Sequence, residues 1–262
     1  MYYYLYDSFL IEKKYQKLIN EIETRVAELG ISGRVIRLTL LKTAEEAVES
    51  ILKRDTNPTV IVVGKEETFN QAISAIRNFK ENNCVFGFIP VKFFSEIATI
   101  LDLPMGVESC DVISQRRIIE VDLGQVNGFL FFSYFDLPTN KVFLKTDNWK
   151  AFPVKCSKIR VSNLAFRWQK KSEEDYQKEM VSSPQDSLLE IITLKEKKDS
   201  FFGKKRHCLD SLFFLKHIWI NSLKKDQELC LQLGKKTLKA PLEVKLASKK
   251  AKIIVGRDRL IE

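Results

Sequence analysis

The stretch Val60-Ile61-Val62-Val63-Gly64-Lys65-Glu66-Glu67-Thr68-Phe69-Asn70 decides the fold. Four β-branched residues read as a buried strand, and they stop at one glycine. A short polar turn follows, and Phe69-Asn70-Gln71-Ala72-Ile73-Ser74-Ala75-Ile76 then spaces its apolar residues as a helix does. A strand passing into a helix through a glycine is where many α/β proteins cradle a phosphate on backbone N–H groups. This turn has one glycine only, so it keeps the geometry of such a site without most of its chemistry.

The same alternation extends in both directions. Residues 2–6 form an aromatic strand, and residues 9–29 carry a helical stripe at Leu18, Ile22, Val26 and Leu29, closed by Gly30. Residues 34–40 read as strand, and Thr43-Ala44-Glu45-Glu46 opens a helix to about residue 54 with a capping box. After the strand 59–63, a helix is expected over 68–79, a strand over 85–89 ending at Pro90, and a helix over 93–101. Strand and helix alternating at this pace predict a parallel sheet covered on both faces.

Past Pro104 the texture changes. Residues 106–115 fit one more helix, and the pattern then turns to strands. Residues 117–123 and 126–135 flank Gly124-Gln125 as a hairpin, and further strands are expected at 141–146, 151–154, 158–161, 188–193, 228–233, 241–245 and 252–255. Residues 210–223 suit a helix or a buried strand, and periodicity does not decide between them. Residues 169–184 read as a long polar loop with a possible helical piece. The expected architecture is an α/β domain with a parallel sheet over residues 1–105, then an antiparallel β-sandwich domain over 106–262.

Composition narrows the function classes. The 262 residues include 18 Phe and carry a net charge of +9. Up to Pro104 there are 13 Lys and Arg against 14 Asp and Glu, so the positive excess belongs to the second part. That asymmetry suggests an anionic partner or a solvated lysine-rich face. No stretch has the ~18 apolar residues of a membrane span, and residues 1–7 do not resemble a signal peptide, which points to a cytoplasmic protein. Cys84, Cys110, Cys156, Cys208 and Cys230 are odd in number and scattered, as reduced and mostly buried thiols would be. His207 and His217 lack a metal-ligand spacing. They read as a surface His and a His on an apolar helix face.

An α/β domain followed by a β domain, with strand-turn-helix units at Gly64 and Pro90, resembles the diacylglycerol kinase catalytic-domain family. That family includes bacterial lipid kinases and sphingosine kinases, and its fold is related to that of NAD kinase. Its first motif, G-G-D-G-T-x-N-E, is matched here at Gly64, Thr68 and Asn70 only. Its second motif, G-x-x-P-x-G-T-x-N-D-F-A-R followed by L-x-x-P, keeps Gly87, Pro90, Ala98 and Pro104, while its central chemistry has become Lys92-Phe93-Phe94-Ser95-Glu96. Val121 to Phe129 looks like the family's first β hairpin, Pro184 to Glu190 like its D-G-x-L-D stretch with Ser187 in place of Gly, and Pro241 to Val244 with Ala251 to Val255 like its closing strands. The D-G-E expected before those strands reads Leu233-Gly234-Lys235.

The resemblance implies nucleotide contacts at Gly64, Lys65, Thr68, Asn70, Pro90, Lys92 and Ser95, a metal role for Glu66 and Glu67, and Asp186 as the nearest match to a catalytic carboxylate. The substitutions argue against that chemistry. Lys65, Glu66 and Glu67 remove the backbone freedom of glycine, and a carboxylate ~6 Å from a phosphate charge costs about 3 kcal/mol at an effective dielectric near 20. Acidic residues in the first turn of a helix need no ligand to explain them. Phe93 and Phe94 would fill the old pocket or bind an apolar ligand, with core filling the expectation. Phosphoryl transfer rests on Mg²⁺ and positioning, which these residues supply poorly.

The expected function is therefore a diacylglycerol kinase-like protein, catalytically degenerate, binding lipid or another protein without a cofactor. The alternative is an active lipid kinase using Mg and ATP on a diacylglycerol-like alcohol. A third class is a basic nucleic-acid module, although no recognition motif accompanies the charge. The run Phe201-Phe202-Gly203-Lys204-Lys205-Arg206 has the composition of a loop seating aromatics among headgroups while its cations meet anionic lipid, or of a hairpin tip with its Phe pair buried. A peripheral association with membrane follows from the first of these.

Overall fold

The computed structural model describes residues 1–79, 83–91, 95–139, 142–164, 168–169, 179–180, 183–198, 205–223, 229–233 and 236–259; residues 168–169, 179–180, 197–198 and 205–207 are described by backbone alone. Contacts divide the chain into two units, Met1–Val121 with Lys249–Glu262, and Asp122–Ser248. The sequence reading placed the division at 105/106. In the structure the first unit continues to Val121, and the chain's closing segment from Lys249 returns to it.

In the first unit, β1 (Tyr2–Tyr6), β2 (Arg34–Arg37), β3 (Thr59–Gly64) and β4 (Val85–Pro90) form a parallel sheet in the order β2-β1-β3-β4. The end of the long last strand β18 (Leu242–Ile254) lies parallel to β4 through Lys252 and Ile253. β3 and β4 are buried throughout, as their unbroken apolar runs require. One face packs Tyr4, Tyr6, Ile61, Val63 and Ile89 against Ile19, Ile22 and Val26 of α1 (Gln16–Glu28) and Ile113 of α5 (Ser109–Gln115). Also buried are Ala47, Val48 and Ile51 of α2 (Ala44–Leu52) and Phe69, Ala72 and Ile73 of α3 (Glu66–Ser74).

Most expected elements are present with shifted ends. Ser8–Ile11 and Lys13–Tyr15 are 3-10 turns before α1, and Gly30 closes α1 at φ +68. The expected strand 34–40 pairs only over Arg34–Arg37. The capping box at Thr43 and Glu46 is formed in both directions, at 3.2 and 2.8 Å. α3 begins at Glu66 rather than residue 68, because extended Lys65 serves as its N-cap and Glu66 and Glu67 make its first turn. The helix expected over 93–101 is α4, Glu96–Ile100.

Among the described residues the second unit holds two larger antiparallel sheets and two short hairpin pairs, β11 (Trp168–Gln169) with β12 (Glu179–Met180) and β16 (Cys230–Leu233) with β17 (Lys236–Lys239). One of the larger sheets is ordered β14-β13-β10-β7, from β7 (Tyr134–Pro138), β10 (Lys158–Ser162), β13 (Leu189–Lys198) and β14 (Lys205–Leu215). The other runs from Leu242–Lys245 of β18 through β15 (His217–Ser222) and β8 (Val142–Lys145) to the edge strand β9 (Lys150–Ala151). Phe135, Leu137, Ile159, Val161 and Ile191 from the first meet Val142, Leu144, Ile218, Ile220 and Val244 from the second in one core, the interior of a sandwich.

Three readings are corrected here, the hairpin turn, the two closing strands and the helical setting of His217, and the open choice for residues 210–223 is decided. The first hairpin, β5 (Ile118–Val126) and β6 (Phe129–Phe131), turns at Asn127-Gly128, where φ is +46 and +86, and not at Gly124-Gln125. A two-residue hairpin turn of type I′ needs two positive φ angles, which Asn-Gly accepts. Gly124 sits within the strand, where a Cβ would lie 2.0 Å from the Phe131 ring. Residues 210–223 are strands β14 and β15, and the two closing strands are one, β18. His217 accordingly lies on a strand, with Nε2 3.2 Å from Glu243 and its ring 4.0 Å from that of Trp219. All five cysteines are free. Cys84 and Cys110 are buried, Cys156 and Cys208 are half-buried, and Cys230 is exposed.

Candidate functional site

The turn at Gly64 is built by the ends of β3 and β4. Gly64 pairs with Pro90, and Val91 N–H donates to the Gly64 carbonyl at 3.1 Å. The end of β1 joins them, since Asp7 N–H donates to the Val63 carbonyl at 2.9 Å. That register carries the Asp7 side chain to the start of α3. Its carboxylate accepts the Thr68 hydroxyl at 2.5 Å and the Lys65 N–H at 3.4 Å, and only 8% of the residue is exposed. A carboxylate at a helix N-terminus takes the position that a bound phosphate would use.

Gly64 is tied to the same carboxylate. Its φ is +157, and a Cβ there would lie 2.5 Å from the Asp7 Cβ and 2.9 Å from Oδ2. The glycine therefore makes room for Asp7. Sequence reasoning had the residue in view but passed over it, because Asp7 is 57 residues upstream of Gly64 and belongs to no motif read from the chain.

Glu66 is likewise engaged within the fold. Its Oε1 accepts the Ser95 hydroxyl at 2.5 Å and the Ile97 N–H at 2.9 Å, while Ser95 caps α4 by accepting the Ala98 N–H at 2.9 Å. Burial pushes the Glu66 carboxyl above its ordinary range, against the downward pull of those two hydrogen bonds. Glu67 is exposed. Lys65 places its ammonium 4.7 Å from the centre of the Phe9 ring, a cation–π contact, and Asn70 Nδ2 donates to the Glu66 carbonyl at 3.2 Å.

Gly64, Lys65, Glu66, Glu67, Pro90 and Ser95 line one cavity together with Phe88, and Thr68 and Asn70 are not in its lining. Its volume is about 110 Å³, well below the ~300 Å³ at which small-molecule sites begin. Lys92, Phe93 and Phe94 lie outside the described residues. Among the described residues no three His, Cys, Asp or Glu side chains converge as a metal-ligand set. The residues present do not fit a magnesium triphosphate: the Asp7 carboxylate stands at the start of α3, Glu66 is bonded to Ser95 and Ile97, and the space is small.

In the second unit, Asp186 closes its own turn by accepting the Leu188 N–H at 2.9 Å. Partial burial pushes its carboxyl upward, opposed by that hydrogen bond, with the charge of Asp122 adding to the rise. Ser187, at φ +61, occupies the place where the resemblance has glycine, and its N–H donates to buried Asp122 at 2.9 Å. The arrangement is a turn held by two carboxylates. Phe201, Phe202 and Lys204 lie outside the described residues, as do Gly234 and Lys235 of the eroded D-G-E; Lys205 and Arg206 open β14 and are described by backbone alone. No helix among the described residues is long and apolar enough to cross a membrane.

No family model matches the chain, and no curated protein matches it by sequence. Solved structures do match. A diacylglycerol kinase from Bacillus anthracis str. Sterne superposes with a TM-score of 0.71 at 14% identity, covering 98% of this chain and 97% of that one. An NAD kinase from Archaeoglobus fulgidus, solved in complex with ATP, superposes with a TM-score of 0.55 at 11% identity, covering 99% and 96%. The chain has the fold of the diacylglycerol kinases, shared at greater distance with NAD kinase.

Proposed function

We propose that this protein is a diacylglycerol kinase-like fold that has given up phosphoryl transfer and is retained for binding an anionic lipid surface. The observation that carries the first half is Asp7. A buried carboxylate bonded to Thr68 at the start of α3 supplies the negative charge that the helix N-terminus attracts, so a nucleotide phosphate arriving there meets repulsion instead of attraction. Catalysis of phosphoryl transfer is almost wholly positioning and charge neutralisation, and both are removed at this turn. On this reading neither ATP nor magnesium takes part in the protein's function.

Support for the second half comes from the edge of the sandwich. Phe152 and Val154 are 57% and 71% exposed beside exposed Lys150 and Lys155, and Phe152 stacks on Phe143 at 5.7 Å. Aromatic and aliphatic side chains set among lysines suit an interface with anionic headgroups, at roughly 1 kcal/mol per cation near the surface. The test is transfer of labelled phosphate from ATP to diacylglycerol in mixed micelles, run beside sedimentation with anionic and neutral vesicles. The expected result is no transfer above the protein-free control, and sedimentation with anionic vesicles only. Transfer to the lipid overturns the first half of the proposal, and indifference to vesicle charge overturns the second.

A further inference from the structure

Another cavity in the first unit lies away from the Gly64 turn, between the edge of the parallel sheet and α2. It measures about 440 Å³, within the ~300 to 1,000 Å³ range of small-molecule sites. Arg34 and Arg37 of β2, Lys42 of the following turn, Ser50 and Arg54 from the α2 side, and Tyr3 line it; among the described residues no Asp or Glu does. Among the described residues β2 pairs with β1 alone, so the groove runs along an open sheet edge.

The local charge does not follow from the composition of this part of the chain, which has 13 Lys and Arg against 14 Asp and Glu up to Pro104. Four of those cations nevertheless line one groove. All four are exposed, and among the described residues none of the four side chains forms an ion pair. Asp55, next in sequence to Arg54, is engaged by the Tyr3 hydroxyl at 3.2 Å. On the helix side, Ala47, Ser50, Ile51 and Arg54 recur at the spacing of one helix face, which fixes Ser50 and Arg54 along the groove. Cations placed along a sheet edge also discourage pairing with other strands, but that purpose needs no cavity.

We infer that this groove binds a soluble ligand carrying two or more phosphate groups. Three guanidinium forks and an ammonium, none in an ion pair among the described residues, match phosphate oxygens in bidentate and point-charge fashion, and Ser50 adds a hydroxyl. The site is separate from the Gly64 turn and does not depend on the fate of catalysis there. The residues are exposed, so their replacement leaves the core untouched.

Calorimetric titration with inorganic tripolyphosphate in low-salt buffer tests the inference, with variants Arg34→Gln/Arg54→Gln and, as a charge control, Lys150→Gln/Lys155→Gln. Saturable binding weakened at least tenfold in the arginine variant, nearly unchanged in the lysine variant, with circular dichroism the same in all three, is the expected result. Absence of saturable binding, or equal weakening in both variants, overturns it, the second by reducing the effect to net charge. A vesicle arm separates the sources of phosphate: sedimentation with phosphatidic-acid vesicles that the arginine variant abolishes, without any heat from tripolyphosphate, overturns the assignment to a soluble ligand.

Discussion

One carboxylate changes the meaning of the residues around it. With Asp7 in place, Gly64 is a glycine because a side chain there would strike the Asp7 Cβ, and Thr68 is a hydroxyl because the carboxylate needs a donor. Two outcomes follow. Gly64→Ala should destabilise the protein by about 2 kcal/mol or more, and combining it with Asp7→Gly should cost clearly less than the two single losses added, as urea denaturation of all three variants would show. A purely additive result would mean the glycine serves something else. Asp7→Ala should cost about 1 to 3 kcal/mol through the Thr68 hydroxyl left without its acceptor in a buried site, and Thr68→Val should recover part of that loss in the Asp7→Ala background. The departure from the resembled motif was legible in the sequence, since Lys65 and Glu67 stand where that motif has glycines and Glu66 where it has Asp. The part played by Asp7 was not, because it follows a different strand and belongs to no local motif.

Among the elements, local chemistry settled some ends and tertiary pairing settled others. Thr43 and Glu46 announced α2 correctly because a capping box is complete within four residues, and Thr43→Ala should cost about 1 kcal/mol in thermal or urea unfolding. The hairpin turn was misplaced because two glycines lie four apart, Gly124 and Gly128, and only the cross-strand register distinguishes them. Residues 210–223 were ambiguous because apolar runs of that length suit either structure until β13 and β18 provide partners. The β13–β14 pair also carries a pH signature. Asp210 accepts hydrogen bonds from Lys195, Cys156, Thr193 and Ser211, and the Lys195 ammonium foremost holds its carboxyl down to about 2. A depressed carboxylate stabilises the folded state above the unfolded value near ~4 and loses that contribution as pH falls toward the folded value. Unfolding midpoints of the wild type should therefore drop between about pH 4 and 2, and Asp210→Asn should flatten that slope while lowering stability at neutral pH. An unchanged slope in the variant would assign the acid sensitivity elsewhere.

For the whole molecule, the order of elements was enough to recognise the fold, and identity to solved relatives of 14% and 11% shows how little sequence that fold requires. What remained legible was the alternation of strands and helices and the change of texture past Pro104, because buried strands and hairpins must repeat their patterns wherever they occur. Activity has no such redundancy, since it hangs on a few side chains that can be replaced while the core is kept. On the proposed reading, the chain's own Asp7 carboxylate closes the phosphate position at α3. That claim is tested most directly by calorimetric titration of Mg-ATP into the Arg34→Gln/Arg54→Gln variant, which removes the separate basic groove from consideration. No saturable heat through the micromolar range is expected. Saturable micromolar binding by that variant would contradict the claim.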